Sequence, residues 1–321
     1  MKNILITGIT GQDGLFLTSE IIKNNKEVNI VGTTRKNENE LYFKRLNSLN
    51  CKSHGNINLV KVNLENEIET FEFMKEVSPD CVINLSGPSS VYKSLLKNSN
   101  TKNSITNIFN NLTNSLIKTN NFAKFFQASS SEMFDNVGTK KLDEKSNFNP
   151  KSPYAEGKLE NHLKVLELNK KYEWPIYSGI MFNHESQFRD DNYLFMKVIK
   201  TIEKIKSGEE KYLTIGSLDY VRDWTYSKDT VKAILSIVER GKSPDYVIGT
   251  GKGHRIFDLV NLVFNHYKLD IEKHLLIDEK LLRKGDPMNI VSNPSKIYQE
   301  LKWSADVTFK ELINICIESK E

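Results

Sequence analysis

The first residues of the chain constrain its fold more than any other stretch. An apolar run of strand length, at residues 2–7, leads into a glycine turn, and helical periodicity follows at residues 15–23. The turn has the spacing Gly-x-x-Gly-x-x-Gly and contains Gly8, Thr10, Gly11, Gln12, Asp13 and Gly14. Glycines let backbone N–H groups approach a diphosphate, which the positive end of the next helix attracts. The spacing differs from the simplest dinucleotide fingerprint, Gly-x-Gly-x-x-Gly, but its position between a strand and a helix favours a dinucleotide site over an ordinary turn.

Strand-like and helix-like segments then alternate. Further strand-like runs lie at residues 28–33, 58–62, 81–85, 122–126 and 176–182. Helical segments between them lie at residues 67–77, 98–121 and 153–166. This alternation predicts an α/β fold with a Rossmann-type doubly wound parallel sheet. We expect residues 1–182 to form the dinucleotide-binding domain and residues 183–321 to form mainly a smaller C-terminal α/β substrate lobe, from which some segments can return to the sheet.

The residues after the second strand distinguish between the two nicotinamide dinucleotides. NAD is recognised there by an acidic residue that binds the ribose 2′-hydroxyl, whereas an arginine suits the 2′-phosphate of NADP. Arg35 and Lys36 occupy this place, so the sequence favours NADP over NAD. The alternative is that both are solvated charges at the exit of a strand.

Three hydroxyl groups and a carboxylate follow the strand-like run at residues 122–126. They belong to Ser129, Ser130, Ser131 and Glu132. Open α/β sheets bind ligands at the carboxyl ends of their strands, so these side chains are candidate site residues. By itself, a run of serines is more often a turn or a helix cap.

A Tyr-x-x-x-Lys pair follows after a loop. Ser152 suits a helix N-cap and Pro153 the first helical position, which puts Tyr154 and Lys158 four residues apart on one helical face. An ammonium group beside a phenol favours the phenolate, so the pair has the composition of a base that works near neutral pH. Because the same spacing occurs by chance in many helices, this interpretation depends on a redox cofactor site elsewhere in the chain.

Composition and charge exclude several other classes of protein. The 45 basic and 41 acidic residues give a net charge of +4 without a basic stripe, so we expect no nucleic-acid partner. No apolar run approaches the roughly 18 residues of a membrane span, and the N-terminus has no signal-peptide pattern. We therefore expect no membrane partner and a cytoplasmic location. The six scattered histidines predict no metal site, and the three distant cysteines suit reduced thiols.

Five short strings are more discriminating than the glycines alone. They are Ile-Thr-Gly-Ile-Thr-Gly-Gln-Asp-Gly at residues 6–14, Gln-Ala-Ser at 127–129, Ser-Pro-Tyr at 152–154, Phe-Asn-His-Glu-Ser at 182–186 and Arg-Asp-Trp at 222–224. Together they resemble the extended short-chain dehydrogenase/reductase superfamily and, within it, the GDP-mannose 4,6-dehydratase family. The resemblance covers nearly the whole chain.

The resemblance implies a lyase that removes water from a nucleotide sugar, GDP-mannose or a GDP-heptose, and forms the 4-keto-6-deoxy product. Tyr154, with its pKa lowered by Lys158, would take the proton of the sugar 4-hydroxyl while hydride passes from C4 to NADP, and Ser130 would hydrogen-bond the same oxygen. Glu132 would remove the C5 proton and help to expel the C6 hydroxyl as water, after which hydride returns to C6 and a proton to C5. In that family a Thr-Ser-Glu triplet carries this chemistry, and Ser-Ser-Glu stands here in its place.

The resemblance also implies the binding residues and the assembly. Besides the glycine turn, NADP would contact Arg35, Asn63, Leu64, Leu85, Ser86, Tyr154 and Lys158. The GDP-sugar would contact Ser89, Ser131, Asn183, Asn192, Lys197, Arg222 and Arg283. The expected assembly is a homodimer or a homotetramer.

Several residues depart from the family pattern and leave the identity of the sugar and the oligomeric state open, and two alternative functions also remain. Asn63 replaces an aspartate near the adenine, Ser-Gly-Pro-Ser at residues 86–89 replaces Gly-Ala-Gln-Ser beside the sugar, and Gln-Phe at residues 187–188 replaces Pro-Arg. A 4-epimerase or 4-reductase of the same superfamily would use Tyr154 and Lys158 but would usually lack Glu132. A non-catalytic NADP-binding protein would keep only the fold. Glu132 is therefore the residue on which the reaction class depends.

Overall fold

The computed structural model of the chain describes residues 1–35, 39–51, 56–89, 91–95, 100–135, 138, 140–282 and 287–319. The strands, in chain order, are β1 (Asn3–Thr7), β2 (Asn29–Thr34), β3 (Ile57–Lys61), β4 (Cys81–Asn84), β5 (Lys124–Ser130), β6 (Ile176–Met181), β7 (Asn183–Glu185), β8 (Leu213–Ile215), β9 (Val221–Arg222), β10 (Trp224–Tyr226), β11 (Asp245–Ile248), β12 (His254–Arg255), β13 (Leu275–Ile277) and β14 (Asn289–Ile290). The helices are α1 (Gln12–Asn24), α2 (Asn39–Ser48), α3 (Glu67–Val77), α4 (Val91–Ser94), α5 (Thr101–Lys118), α6 (Pro153–Tyr172), α7 (Leu194–Ser207), α8 (Ser227–Arg240), α9 (Ile256–Tyr267), α10 (Ile271–His274), α11 (Ser295–Leu301) and α12 (Phe309–Glu318). One-turn 3₁₀ helices lie at Ser131–Met133 and Glu279–Leu281.

A parallel sheet of seven described strands forms the centre of the structure. Its order is β11-β6-β5-β4-β1-β2-β3, and each neighbouring pair is parallel. The direction of winding reverses between β1 and β4, which is where open α/β sheets bind ligands. The predicted Rossmann-type doubly wound parallel sheet is confirmed.

Helices cover both faces of this sheet. Ile4 and Ile6 of β1 belong to the apolar cluster that contains Phe16 of α1, whereas Leu5 belongs to the cluster that contains Phe109 of α5. Successive residues of a strand point to opposite faces, and a strand that is covered on both faces reads as a continuous apolar run. This is why apolar runs in the sequence predicted most of these strands.

Strand β5 and helix α2 are among the elements that differ from the sequence-based prediction. Strand β5 comprises Lys124–Ser130 instead of residues 122–126, because its polar end continues to pair with β6. The hydroxyl of Ser178 in β6 donates to the buried hydroxyl of Ser129 at 2.8 Å, so polar side chains are accommodated within this ladder. Helix α2 was not predicted, and its apolar periodicity is weak because only Tyr42 and Leu46 are buried.

The chain after residue 182 builds small sheets and also returns to the central one. Strand β7 pairs with β10, β9 pairs with β12 and β14, and β8 pairs with β13. Strand β11 pairs in parallel with β6 at the edge of the central sheet. The division at residue 182 into a dinucleotide-binding domain and a substrate lobe stays a proposal. Within the described residues, no helix has the length and apolar character needed to span a bilayer.

Asp223 joins three segments of the C-terminal part of the chain. Its carboxylate accepts hydrogen bonds from the backbone N–H groups of Thr250 at 3.0 Å, Gly251 at 3.0 Å and Ser292 at 3.1 Å. The hydroxyls of Thr250 and Ser292 donate to it as well. These bonds compensate for the burial of a side chain that is 1% exposed. The aspartate of the Arg-Asp-Trp string therefore stabilises the fold.

Candidate active site

A buried polar network aligns three strands at the carboxyl edge of the sheet. The hydroxyl of Thr7 in β1 donates to Asn84 Oδ1 of β4 at 2.6 Å, and Asn84 Nδ2 donates to Gln127 Oε1 of β5 at 2.7 Å. The backbone N–H of Ser86 donates to the Thr7 hydroxyl at 3.2 Å. The loop after β4, which contains the predicted cofactor residues Leu85 and Ser86, is thereby held beside the glycine turn.

The glycine turn leaves room for an anion at the start of α1. Gly8 has a φ of +69°, and a Cβ there would lie 3.3 Å from the backbone of Leu85 and Ser86. A Cβ on Gly14 would lie 2.3 Å from the carbonyl oxygen of Ile9, so only glycine fits. Gly11 is the N-cap of α1 and has no side chain to occupy the first-turn N–H groups. The turn therefore fits a dinucleotide diphosphate, because these N–H groups attract anions.

Gln12 and Asp13 connect the glycine turn to the Asn-His-Glu-Ser string. Gln12 Nε2 donates to the His184 carbonyl oxygen at 3.0 Å, and the Ser186 hydroxyl donates to Gln12 Oε1 at 2.9 Å. His184 Nε2 lies 2.9 Å from Asp13 Oδ2. Burial alone would lower the pKa of His184, but the Asp13 carboxylate outweighs burial and the pKa is raised. The side chains of Gln12 and Asp13 thus fasten the turn to the C-terminal part of the chain.

The other predicted cofactor residues lie along the same edge of the sheet. Arg35 is exposed, one residue beyond the end of β2. Its strand is close to the turn, since the Gly8 N–H donates to the Thr33 hydroxyl at 3.3 Å. Lys36 lies outside the described residues. Two predicted cofactor residues follow β3, the exposed Asn63 and the buried Leu64.

The end of β5 turns so that Ser130 and Glu132 lie beside Tyr154. Ser130 is the N-cap of the 3₁₀ helix Ser131–Met133, and its hydroxyl oxygen accepts the Glu132 N–H at 3.3 Å. The same hydroxyl is close enough to the Tyr154 phenol to lower its pKa, and the Glu132 carboxylate is close enough to raise it. Ser131, which was predicted to bind substrate, is 2% exposed. The structure therefore brings three predicted catalytic side chains together and buries Ser131.

Helix α6 positions Tyr154 and Lys158. Ser152 is its N-cap and accepts a first-turn N–H at 3.2 Å, and Pro153 is its first residue. Lys158 is buried, and its Nζ donates to the Ala128 carbonyl oxygen of β5 at 2.8 Å. The distance from this Nζ to the centroid of the Tyr154 ring is 5.7 Å. The pair thus lies against the end of β5, where Ser130 is located.

The pKa of Tyr154 in the Tyr154–Lys158 pair differs from the prediction. Burial raises the pKa of Tyr154 to about 12, although the nearby Ser130 hydroxyl partly opposes the shift. Burial also lowers the pKa of Lys158 to about 8. The sequence predicted a lowered pKa for Tyr154. That prediction is wrong for this structure, because desolvation of the phenol dominates and the Lys158 ammonium is bonded to a backbone carbonyl.

Three predicted substrate residues lie in the segments around this cluster. The Ser89 hydroxyl is 2.7 Å from the hydroxyl oxygen of Tyr193. Asn183 lies in β7, opposite Trp224 of β10. Asn192 is exposed, and its side-chain amide donates to the carboxylate of Asp190.

The predicted cationic substrate residues belong to the C-terminal part of the chain. Lys197 of α7 donates from Nζ to the Thr214 carbonyl oxygen at 3.4 Å. Arg222 of β9 is 5% exposed and donates to the carbonyl oxygens of Val221 and Pro287, both at 2.9 Å. Backbone carbonyl groups therefore orient both side chains. Arg283 lies outside the described residues.

Two side chains that the sequence analysis did not assign to the site influence Tyr154. Tyr193 raises the pKa of Tyr154 and Arg189 lowers it. The guanidinium carbon of Arg189 is 3.5 Å from the centroid of the Tyr193 ring, and its Nε is 3.3 Å from Glu185 Oε2. Their closeness to the Asn-His-Glu-Ser string, a few residues earlier in the sequence, is the signal that could have identified them.

Solved structures of known enzymes share this fold. UDP-glucose 4-epimerase from Thermotoga maritima has a TM-score of 0.84 at 22% identity, over 98% of this chain and 97% of that one. The dTDP-glucose 4,6-dehydratase from Bacillus anthracis, solved in complex with NAD, has a TM-score of 0.83 at 19% identity, over 99% and 96%. The doubly wound sheet, with Tyr154 and Lys158 on the helix after β5, is the architecture of the extended short-chain dehydrogenases/reductases.

Sequence comparison identifies one family within this superfamily. The family model for GDP-mannose 4,6 dehydratase matches residues 5–316, so the chain belongs to that family of hydro-lyases. GDP-mannose 4,6 dehydratase 2 of Arabidopsis thaliana is 29% identical over 99% of this chain and 86% of its own length. The GDP-mannose 4,6 dehydratase of Homo sapiens is 29% identical over 96% and 88%. The family predicted from the five strings is confirmed.

Proposed function

We propose that this protein is a nucleotide-sugar 4,6-dehydratase that converts GDP-mannose, or a GDP-heptose, to the 4-keto-6-deoxy sugar nucleotide. The observation that carries the proposal is the cluster at the end of β5, where the Ser130 hydroxyl and the Glu132 carboxylate both lie close enough to the Tyr154 phenol to influence its pKa. Oxidation or reduction at a sugar hydroxyl needs only the Ser130 hydroxyl and the Tyr154 phenol. Loss of water also needs a base for a carbon-bound proton, and we assign that role to Glu132.

Each residue of the cluster has one role in the proposed reaction. Tyr154 takes the proton of the sugar 4-hydroxyl, and Ser130 holds the same oxygen by a hydrogen bond. A nicotinamide dinucleotide held at the glycine turn would supply the hydride chemistry at C4 and C6. Glu132 removes the C5 proton, which the 4-keto group acidifies, and this proton leaves with the C6 hydroxyl as water. When hydride returns to C6, C5 takes up a proton that comes from the solvent. Lys158 favours the phenolate form of Tyr154 and ties α6 to β5.

We propose NADP as the cofactor, with NAD less favoured. The cradle at Gly8, Gly11 and Gly14 suits the diphosphate of either dinucleotide. Arg35 supports the choice of NADP, because it is exposed at the end of β2 where the 2′-phosphate would lie.

Substitution of Arg35 with alanine tests this choice. We expect the affinity for NADP to fall about tenfold to a hundredfold, since charge-assisted hydrogen bonds are lost, whereas the affinity for NAD stays the same. Fluorescence titration with each dinucleotide measures both. Arg240→Ala, at the end of α8, is the matched control. An equal loss for NADP and NAD would contradict the proposed contact with the 2′-phosphate.

The proposed substrate contacts are those predicted from the sequence. Lys197 and Arg222 would contribute two positive charges, which suit the diphosphate of a GDP-sugar. Ser89, Ser131, Asn183, Asn192 and Arg283 complete the proposed set. Assembly into a homodimer or homotetramer, which light scattering of the purified protein would measure, stays a prediction from the sequence, as does a cytoplasmic location.

The deciding experiment is mass spectrometry of the purified protein after incubation with NADP and a panel of sugar nucleotides that includes GDP-mannose and GDP-heptose. We expect one GDP-sugar to give a product lighter by one water. Inversion or reduction at C4 without loss of water would instead identify a 4-epimerase or 4-reductase. Cofactor binding without turnover of any compound in the panel would identify a non-catalytic NADP-binding protein.

A further inference from the structure

A hydrogen bond between Ser89 and Tyr193 connects the two parts of the chain beside the candidate active site. Ser89 lies in the loop after β4, and Tyr193 is the N-cap residue of α7. Their hydroxyl oxygens are 2.7 Å apart. Tyr193 is also close enough to Tyr154 to influence it electrostatically. The bond therefore fixes one hydroxyl group near the place where the sugar would react.

Arg189 polarises this hydrogen bond in one direction. Its guanidinium carbon lies 3.5 Å from the centroid of the Tyr193 ring, and a cation at that place attracts the electrons of the ring face. A phenol is also a stronger acid than an alkyl hydroxyl, and a stronger acid is a better donor. We therefore assign Tyr193 as the donor and the Ser89 oxygen as the acceptor of a bond that either hydroxyl could donate. The Ser89 proton remains available for a further acceptor.

We propose that Tyr193 is a positioning residue for the sugar, which holds the Ser89 hydroxyl so that its proton is directed at an oxygen of the bound sugar. The inference rests on the proposed function, since it takes a GDP-sugar as the ligand and Ser89 as one of its contacts. Tyr193 acts through Ser89 and not on the reacting atoms. Tyr193 therefore influences the binding of the sugar and not that of the nucleotide, because neither the Ser89 hydroxyl nor the Tyr193 hydroxyl is assigned to the nucleotide.

The solvent exposure of Ser89 and Tyr193 distinguishes a role in positioning the sugar from a role in stabilising the fold. Ser89 is exposed and Tyr193 is only partly buried, and Tyr193 does not belong to the apolar clusters formed by the described residues. A hydrogen bond that water can replace contributes little to the stability of the fold. Removal of the Tyr193 hydroxyl is therefore expected to leave the thermal unfolding midpoint unchanged.

The test compares Tyr193→Phe with the wild-type protein, both saturated with NADP. Calorimetry measures the binding of the GDP-sugar that the panel selects, GDP-mannose or GDP-heptose, and of GDP alone. We expect the dissociation constant of the GDP-sugar to rise about threefold to tenfold and that of GDP to stay the same. In steady-state kinetics, KM for the GDP-sugar should rise more than kcat falls. Tyr298→Phe, an exposed tyrosine on α11, is the matched control and should change neither.

A double variant separates positioning from a general loss of contacts. If Tyr193 acts through Ser89, then Tyr193→Phe adds little to the effect of Ser89→Ala. Additive effects, equal weakening of GDP-sugar and GDP, or unchanged affinity in Tyr193→Phe would each overturn the inference while wild-type turnover stays intact. If the wild-type protein turns over no GDP-sugar, the proposed function fails and the inference fails with it, so the two failures are distinguishable.

Discussion

Replacement of Glu132 by glutamine is expected to slow the loss of water from the GDP-sugar severely, while the protein keeps its fold and its affinity for NADP. Glutamine has nearly the same shape as glutamate but cannot take up the C5 proton. Because a positioned base contributes about 10²–10⁴-fold to a rate, dehydration should slow by that order. Mass spectrometry of the product, which is lighter by one water, measures the rate directly.

Hydrogen exchange at C5 tests the role of Glu132 more specifically. In deuterium oxide, the product of the wild-type protein should carry deuterium at C5, because the proton that Glu132 removes is replaced from the solvent. The variant should leave C5 unexchanged. Glu160→Gln, on the exposed side of α6, is the matched control and should retain dehydration and exchange. Dehydration at the wild-type rate by Glu132→Gln would exclude Glu132 as the base.

Replacement of Tyr154 by phenylalanine should slow the reaction by about 10²–10⁴-fold, because the proton of the 4-hydroxyl then has no positioned acceptor. The ring is kept, so the packing at the start of α6 should be preserved and the thermal unfolding midpoint should change little. Turnover of the GDP-sugar under saturating conditions measures the effect. Tyr172→Phe, on the same helix, should behave as wild type. Full activity of Tyr154→Phe would assign the base to another residue.

The pH dependence of kcat/KM follows from the pKa values of Tyr154 and Lys158. Only the phenolate of Tyr154 accepts a proton, and its pKa is raised to about 12, so kcat/KM should rise with pH. The Lys158 ammonium favours the phenolate, and since burial lowers the pKa of Lys158 to about 8, this support is present below that pH and lost above it. Lys158→Met should therefore lower kcat/KM below about pH 8 and leave it unchanged above that pH. An equal loss of kcat/KM at every pH would mean that Lys158 only orients α6.

The sequence was sufficient to predict those elements that are determined by residues close together in the chain. The turn at Gly8 and Gly14 could be predicted, because no other residue has the backbone freedom and the small size of glycine. The sheet could be predicted, because a strand buried on both faces must be apolar throughout. The start of α6 could be predicted, because Ser152 and Pro153 are favoured at the N-cap and at the first helical position.

Contacts between distant segments could not be predicted in this way. The bond between Ser89 and Tyr193 joins residues that no local pattern connects, and the same holds for the bonds from Gln12 and Asp13 to the segment at His184. The raised pKa of Tyr154 has a similar origin, since burial depends on every segment that packs around a side chain. A spacing of four residues reports only which groups are neighbours on one helix.

The place of β11 in the central sheet has a consequence for the synthesis of the chain on the ribosome. Strand β6 is buried along its whole length in the finished protein, and β11 is its partner on the outer side. The chain from Phe182 to Pro244 must be translated before that partner exists, which takes several seconds at about 5–20 residues per second. During this interval the nascent protein presents an apolar, unpaired strand edge, which is the kind of surface that chaperones bind and that neighbouring nascent chains can pair with.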